Sequence, residues 1–172
     1  MGEDDEVTIR PASPADAAGI ADVHVRSWRE AYTGIVPDDY LAGLDPTQRT
    51  PVWTENLRRG PDEHVHTWVA ERAARIVGFA TIGPGRDEDV RRGDREIYSI
   101  YLEPEQWGHG VARDLMRTVI GEAGHNRIVL WVMADNERAR HFYRRHGFEP
   151  DGVEKYAPVG SAELLQLRYR RG

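Results

Sequence analysis

Apolar positions along the chain fall into two spacings, and the change from one to the other marks out the elements. Ala17, Ile20, Val23, Ser27 and Ala31 lie three and four residues apart and predict a helix. Ser13 suits its N-cap, Pro14 its first position and Asp16 the reciprocal place of a capping box. Trp28 and Tyr32 share a neighbouring face of that helix. Asp38-Asp39 starts a short helix carrying Tyr40, Leu41 and Leu44, and Asp45-Pro46 starts another, interrupted at Pro51 and ended by Gly60-Pro61. Ala112, Leu115, Met116, Val119 and Ile120 predict a helix ending near Gly124. Ala139, Phe142, Tyr143 and His146 come together on a helix over 136–146, with Asp135 as N-cap and Gly147 as C-cap.

Between these helices the pattern reads as strand. Residues 7–10 form a short first strand, 64–71 alternate, Ala73-Ala74 is a turn, and 76–82 is the hairpin partner. Residues 95–102 suit a pleated surface, and Pro104, lacking a backbone donor, ends that strand. The nearly continuous apolar run 127–134 predicts a central strand buried on both faces. Residues 153–156 and 164–169 close the sheet, while the charged run 86–94 reads as a solvated loop. Strands and helices interleave throughout, which is an α/β pattern.

Composition narrows the classes. A chain of 172 residues is long enough for one well-cored domain, taken as 7–170 behind an acidic, mobile tail at 1–6. With no cysteine there is no disulfide, no thiolate metal site and no cysteine nucleophile. His64 and His66 share a strand face without a completing ligand motif, so no metal is expected. No apolar run approaches membrane-spanning length and the first residues lack a signal peptide's pattern, so the expected compartment is cytoplasmic, with no membrane partner. A net charge of −6 argues against nucleic acid and mildly favours a cationic or amine ligand.

The candidate chemistry starts at Trp107-Gly108-His109-Gly110-Val111-Ala112, the turn between the strand 95–102 and the helix that follows. A glycine turn feeding a helix presents unpaired N–H groups at the positive end of the helix dipole, which is a phosphate site. The turn is neither the dinucleotide fingerprint nor a P-loop, since Val111-Ala112-Arg113 follows the second glycine and no Gly-Lys-Ser/Thr occurs.

Two stretches in order, YLEPEQWGHGVARDLM and LWVMADNERARHFYRRHGF, resemble the GNAT superfamily of acetyl-CoA-dependent N-acetyltransferases, and the resemblance runs from about Val7 to Tyr169. It implies an α/β GNAT fold: one domain, with a twisted, mostly antiparallel sheet, a splayed central strand pair and flanking helices. It places the coenzyme A pyrophosphate on the amides of Trp107, Gly108, His109, Gly110, Val111, Ala112 and Arg113, with Trp107 where the family usually has Arg or Gln. Pantetheine would lie between Ile100, Tyr101 and Leu102 on one strand and Leu130 and Trp131 on the other, with an N–H near Leu102 polarising the thioester carbonyl. Asn136, Ala139, Phe142 and Tyr143 match the family's second motif, Asn136 toward the pantetheine arm and Tyr143 as the acid near the sulfur. Arg113 and one or two of Arg138, Arg140, Arg144 and Arg145 are candidates for the adenosine phosphates. Glu96 stands where many members carry the base, and strict alternation would put it on the face of Tyr98, Ile100 and Leu102. Trp28, Tyr32 and Trp131 are the expected acceptor-side wall.

The implied reaction is direct attack of a primary amine on acetyl-CoA in a ternary complex, with no metal and no covalent intermediate. Two alternatives stay open: an acyl-CoA sensor without turnover, and a transferase for another acyl group or acceptor. The acceptor class covers small-molecule and peptide amines, and a second copy of the chain is left open as a partner.

Overall fold

The computed structural model describes residues 6–172. In order, the elements are β1 (Thr8–Pro11), α1 (Ala17–Ala31), α2 (Asp38–Ala42), α3 (Pro46–Arg59), β2 (His66–Arg72), β3 (Arg75–Pro84), β4 (Arg95–Leu102), α4 (Val111–Ala123), β5 (Ile128–Met133), α5 (Glu137–Arg145), β6 (Glu149–Val159) and β7 (Ala162–Arg171). The seven strands form one sheet in the order β1-β2-β3-β4-β5-β7-β6. Only β4 and β5 run parallel. That follows from α4, the crossover helix between them, because a parallel pair cannot be joined by a tight turn. Residues 1–5 of the acidic tail lie outside the described residues.

Helices cover both faces. On one, Ile20 and Val23 of α1 meet Val69 and Phe79, with Trp53 and Leu57 of α3 packed beside them. On the other, Leu115, Met116 and Val119 of α4 pack against Ala80, Ile82, Leu130 and Val132. These are the stripes the helical spacing marked. Pro51, read as an interruption, sits inside a continuous α3.

The parallel pair is short. Arg95 pairs with Ile128, Glu96 with Val129 and Ile97 with Leu130, and beyond these residues the strands part. The expected splay is therefore present. Past it, β5 pairs only with β7, and β4 only with β3.

Three local expectations change. A bulge in the β3–β4 register pairs Thr81 with Ser99 but Ile82 with Ile97, leaving Tyr98 as the extra residue. Alternation then resets: Ile97 joins Ile82, Ile100 and Leu102 under α4, while Glu96, opposite Gly83, faces the α1 side with Tyr98 and Tyr101. Strict period two placed Glu96 with Ile100 and Leu102, because an inserted residue leaves no trace in a hydrophobic pattern. The 86–94 loop is not simply solvated either. Asp94 is buried and receives bonds from Arg127 and the Arg91 N–H, and Asp87 and Asp89 pair with Arg168 of β7. Finally, β6 and β7 are longer than expected, since most of β6 is exposed and shows no apolar alternation.

Candidate active site

A cavity of about 420 Å³ occupies the opening between β4 and β5. It is walled by residues 97–102 of β4, Leu130, Trp131 and Val132 of β5, Tyr32 and Glu30 from the α1 side, the turn before α4, and α5. Because α1 and α4 cover opposite faces, a site lined by both gives a molecule threaded between the strands access to the two sides of the sheet.

At one end lies the glycine turn. Gly108 and Gly110 have φ of +81° and +82°, where a side chain would be strained, and a Cβ on Gly108 would meet nothing. Gly110 is the N-cap of α4 and supplies no side-chain cap, and Asp114 is the residue whose N–H reaches the Gly110 carbonyl. The N–H groups of Val111, Ala112 and Arg113 precede that first helical bond and are left for an anion. Arg113, Arg138 and Arg145 border the same end of the cavity. Arg138 stacks over the Trp107 ring at 4.2 Å, and the Trp107 indole donates to the Leu102 carbonyl at 3.3 Å. Position 107 thus braces the end of β4 and holds a cation beside the turn. Arg140, in contrast, is tied to the Tyr169 hydroxyl and the Ala134 carbonyl. Glu103 anchors the approach to the turn: 1% exposed, it receives Arg75 from β3, Arg26 from α1 and Gln106.

The other wall is aromatic and hydroxylic. Tyr143 and Phe142 line the cavity from α5, and burial, with Tyr32 nearby, raises the Tyr143 hydroxyl above the ordinary phenol range. Burial likewise raises Tyr32 and Tyr101. Asn136 caps α5 through its side-chain oxygen, bonded to the Ala139 N–H at 3.2 Å, and borders the cavity. Trp28 packs on Tyr32 at 4.6 Å behind the wall. Next to it, burial and the charge of Arg49 lower the His24 imidazole to about 4, so the ring sits neutral against Tyr101.

Of the residues singled out by sequence, Ile100, Tyr101, Leu102, Trp107, Gly108, Gly110, Ala112, Arg113, Asn136, Ala139, Phe142, Tyr143, Tyr32 and Trp131 meet on this one cavity. His109 is exposed and Val111 turns into the core under α4, so only their amides face the turn. Trp28 stands one layer back. Glu96 lies just beyond the wall formed by Ile97: it is 2% exposed and capped by Arg86, whose N–H donates at 3.1 Å and whose guanidinium donates at 3.1 and 2.6 Å. Arg86 also lies over the Tyr98 ring at 3.8 Å. Sequence reading passed over Arg86, Asp87 and Glu30, because a loop charge and a helix-surface carboxylate carry no periodic signal.

Among the described residues no group of three or more His, Asp or Glu is placed to hold a metal ion, and no helix is long and apolar enough to cross a membrane.

Comparison with known proteins bears on the family and the fold. The model of the acetyltransferase (GNAT) family matches residues 24–148. A probable N-acetyltransferase of Mycobacterium tuberculosis H37Rv is 29% identical over 95% of this chain and 92% of its own length. The N-acetyltransferase YuaI of Bacillus subtilis is 34% identical over 76% of this chain and 73% of its own. The PaiA N-acetyltransferase of Thermoplasma acidophilum, solved in complex with coenzyme A, superposes with a TM-score of 0.75 over 96% of this chain and 98% of its own, at 17% identity, which speaks for the fold alone.

Proposed function

The chain belongs to the acetyltransferase (GNAT) family, and on that premise we propose that it moves an acetyl group from acetyl-CoA to a primary amine by direct attack within a ternary complex. The observation that carries the reading is the cavity between β4 and β5, which joins a phosphate-type glycine turn to an aromatic wall bearing Tyr143. The amides of 108–113 take the pyrophosphate, helped by Arg113, Arg138 and Arg145. The pantetheine arm lies along Ile100, Tyr101 and Leu102 and turns its thioester toward the last β4–β5 pair. Asn136, Ala139 and Phe142 bound the arm from α5.

Holding both reactants removes the entropic cost of their encounter, so the residues have only charge and protons to manage. The amine enters from the α1 side, past Tyr32 and Glu30. Its proton leaves through water toward Glu96, since that carboxylate lies behind Arg86 and outside direct reach. The Tyr143 hydroxyl donates a hydrogen bond to the sulfur as negative charge develops there.

The test is thiol release from acetyl-CoA across a panel of amines, together with calorimetry of acetyl-CoA binding. Binding with thiol release for at least one amine is the expected result. Tight binding with no release from any amine would make the chain a sensor and overturn the transfer.

A further inference from the structure

We propose that Trp131 sets the length of the acyl group this chain accepts, and that Asp87 is the residue that positions it; the inference rests on the acyl-transfer reading above. Trp131 follows Leu130, the last residue of β5 to pair with β4. It is therefore the first side chain past the point where the strands part. Alternation sends its neighbours Leu130 and Val132 into the core under α4, so the indole goes to the opposite face, and it borders the cavity.

The indole is fixed from several directions. Its Nε1–H donates to both carboxylate oxygens of Asp87, at 3.2 and 3.1 Å. Asp87 also receives Arg168 at 3.2 Å, and Arg168 is bound by Asp89 at 2.6 and 2.7 Å and by Asp151 at 2.6 Å. Lys155 lies over the ring at 4.0 Å. Side chains from β6, β7 and the β3–β4 loop thus converge on one ring. The side chains of Arg168 and Asp151 are buried, so their charge-assisted pair is strongly held, while Asp89 reaches Arg168 from the solvent side. An indole N–H away from water usually finds a partner, so what sets this ring apart is that its partner, Asp87, is itself held by Arg168 while Lys155 covers the ring.

The consequence concerns the reacting end of the substrate. An arm that runs from the glycine turn along Ile100–Leu102 toward the Ile97–Leu130 pair arrives at the indole with its acyl carbons foremost. A two-carbon group ends short of the ring. Each further methylene must displace a tethered side chain, and a methylene that does not fit costs about 10–200-fold in kcat/KM.

The experiment measures kcat/KM by thiol release for acetyl-, butyryl- and hexanoyl-CoA, using an amine that the wild type acetylates. Wild type should use hexanoyl-CoA at least about 100-fold less well than acetyl-CoA. Trp131→Ala should raise the hexanoyl-to-acetyl ratio by at least about 10-fold, and Asp87→Ala, which removes the indole's hydrogen bond while Lys155 stays over the ring, by about threefold. Should the alanine variant at Trp131 melt, Trp131→Leu retains apolar bulk on β5 and should admit butyryl-CoA. A wild type indifferent to chain length, or an unchanged ratio in folded Trp131 variants, overturns the gate. A changed ratio at Trp131 with none at Asp87 overturns the positioning role. A wild type that neither binds acetyl-CoA nor releases thiol overturns the transferase reading itself, a result unlike the others.

Discussion

Tyr143 is a phenol where a phenol ionises with difficulty. An ordinary thiol titrates near 8.5 and a phenol near 10, so protonating a thiolate from it is uphill by about 2 kcal/mol before burial is counted. Burial and the neighbouring Tyr32 make Tyr143 weaker still as an acid. In the proposed reaction its contribution is a positioned hydrogen bond, not a completed proton transfer. Tyr143→Phe should lower kcat by about 10–10³ while leaving the melting temperature and acetyl-CoA affinity nearly unchanged. Steady-state kinetics with a thermal melt checks this, and wild-type turnover would make Tyr143 a core aromatic. For Glu96→Gln the expected loss is about 10²–10⁴ at neutral pH, partly recovered at high pH where free amine is abundant. Because Glu96 is buried and accepts three bonds from Arg86, the glutamine variant should also lose stability, so its rate is compared at a temperature where a thermal melt shows it folded. A pH–rate profile identical to wild type would leave Glu96 as nothing more than a tether for Arg86.

At the level of elements, two turns carry opposite lessons about positive φ. In the turn before α4 the left-handed backbone is occupied by glycine, and the proposed pyrophosphate site asks for a backbone free of Cβ atoms. Gly110→Val places a β-branched residue at φ +82° and pushes on Arg113, 3.0 Å from where its Cβ would sit. Acetyl-CoA affinity should fall by roughly 2–4 kcal/mol, and unchanged affinity by calorimetry in a folded variant would move the pyrophosphate elsewhere. Between β2 and β3 the same kind of backbone is occupied by alanine: Ala73 and Ala74 have φ of 51° and 61°. Such a hairpin turn favours Asn-Gly. Ala73→Asn with Ala74→Gly should raise stability by about 1 kcal/mol, read from the urea midpoint, with no change in acetyl-CoA binding. No shift in that midpoint would mean the turn is unstrained.

For the whole molecule, the shifted groups act in one direction as pH falls. His24 is partly buried, its buried Nδ1 has no hydrogen-bond partner among the described residues, and desolvation with the charge of Arg49 lowers its titration from 6.5 to about 4. The unfolded chain therefore binds a proton over that window that the folded one refuses, and stability is lost as pH falls from about 6.5 toward 4, by up to about 3 kcal/mol. Asp16 is lowered by Arg10. In Asp94 and Glu103 burial pushes upward but Arg127 and Arg75 outweigh it, so both end lowered. These carboxylates stabilise the fold above their unfolded values and withdraw that stability as pH drops below them. Urea unfolding at pH 7.5, 6 and 5 should show a steady decline. His24→Leu should flatten the upper part of the curve, and an unflattened curve would remove His24 from it.

What the chain's order of residues determined on its own is whatever depends on near neighbours. Helix stripes, the Ala73-Ala74 turn, the glycine turn at Trp107–Ala112 and the Asn136–Tyr143 spacing are all local patterns; the α/β pattern could be read from them, and most of the cavity wall from the family resemblance that the last two carry. Tertiary structure alone decided which side of the sheet Glu96 faces, since one extra residue at Tyr98 resets the alternation and only the pairing with β3 reveals it. It also decided that Arg86 covers Glu96, and that Asp87, Asp89 and Asp151 gather on Arg168 beside Trp131. The physical reason is the same in each case. Apolar burial repeats with the period of the element and so leaves a trace along the chain, whereas an ion pair or an indole hydrogen bond joins residues far apart in sequence and exists only once the sheet has brought them together.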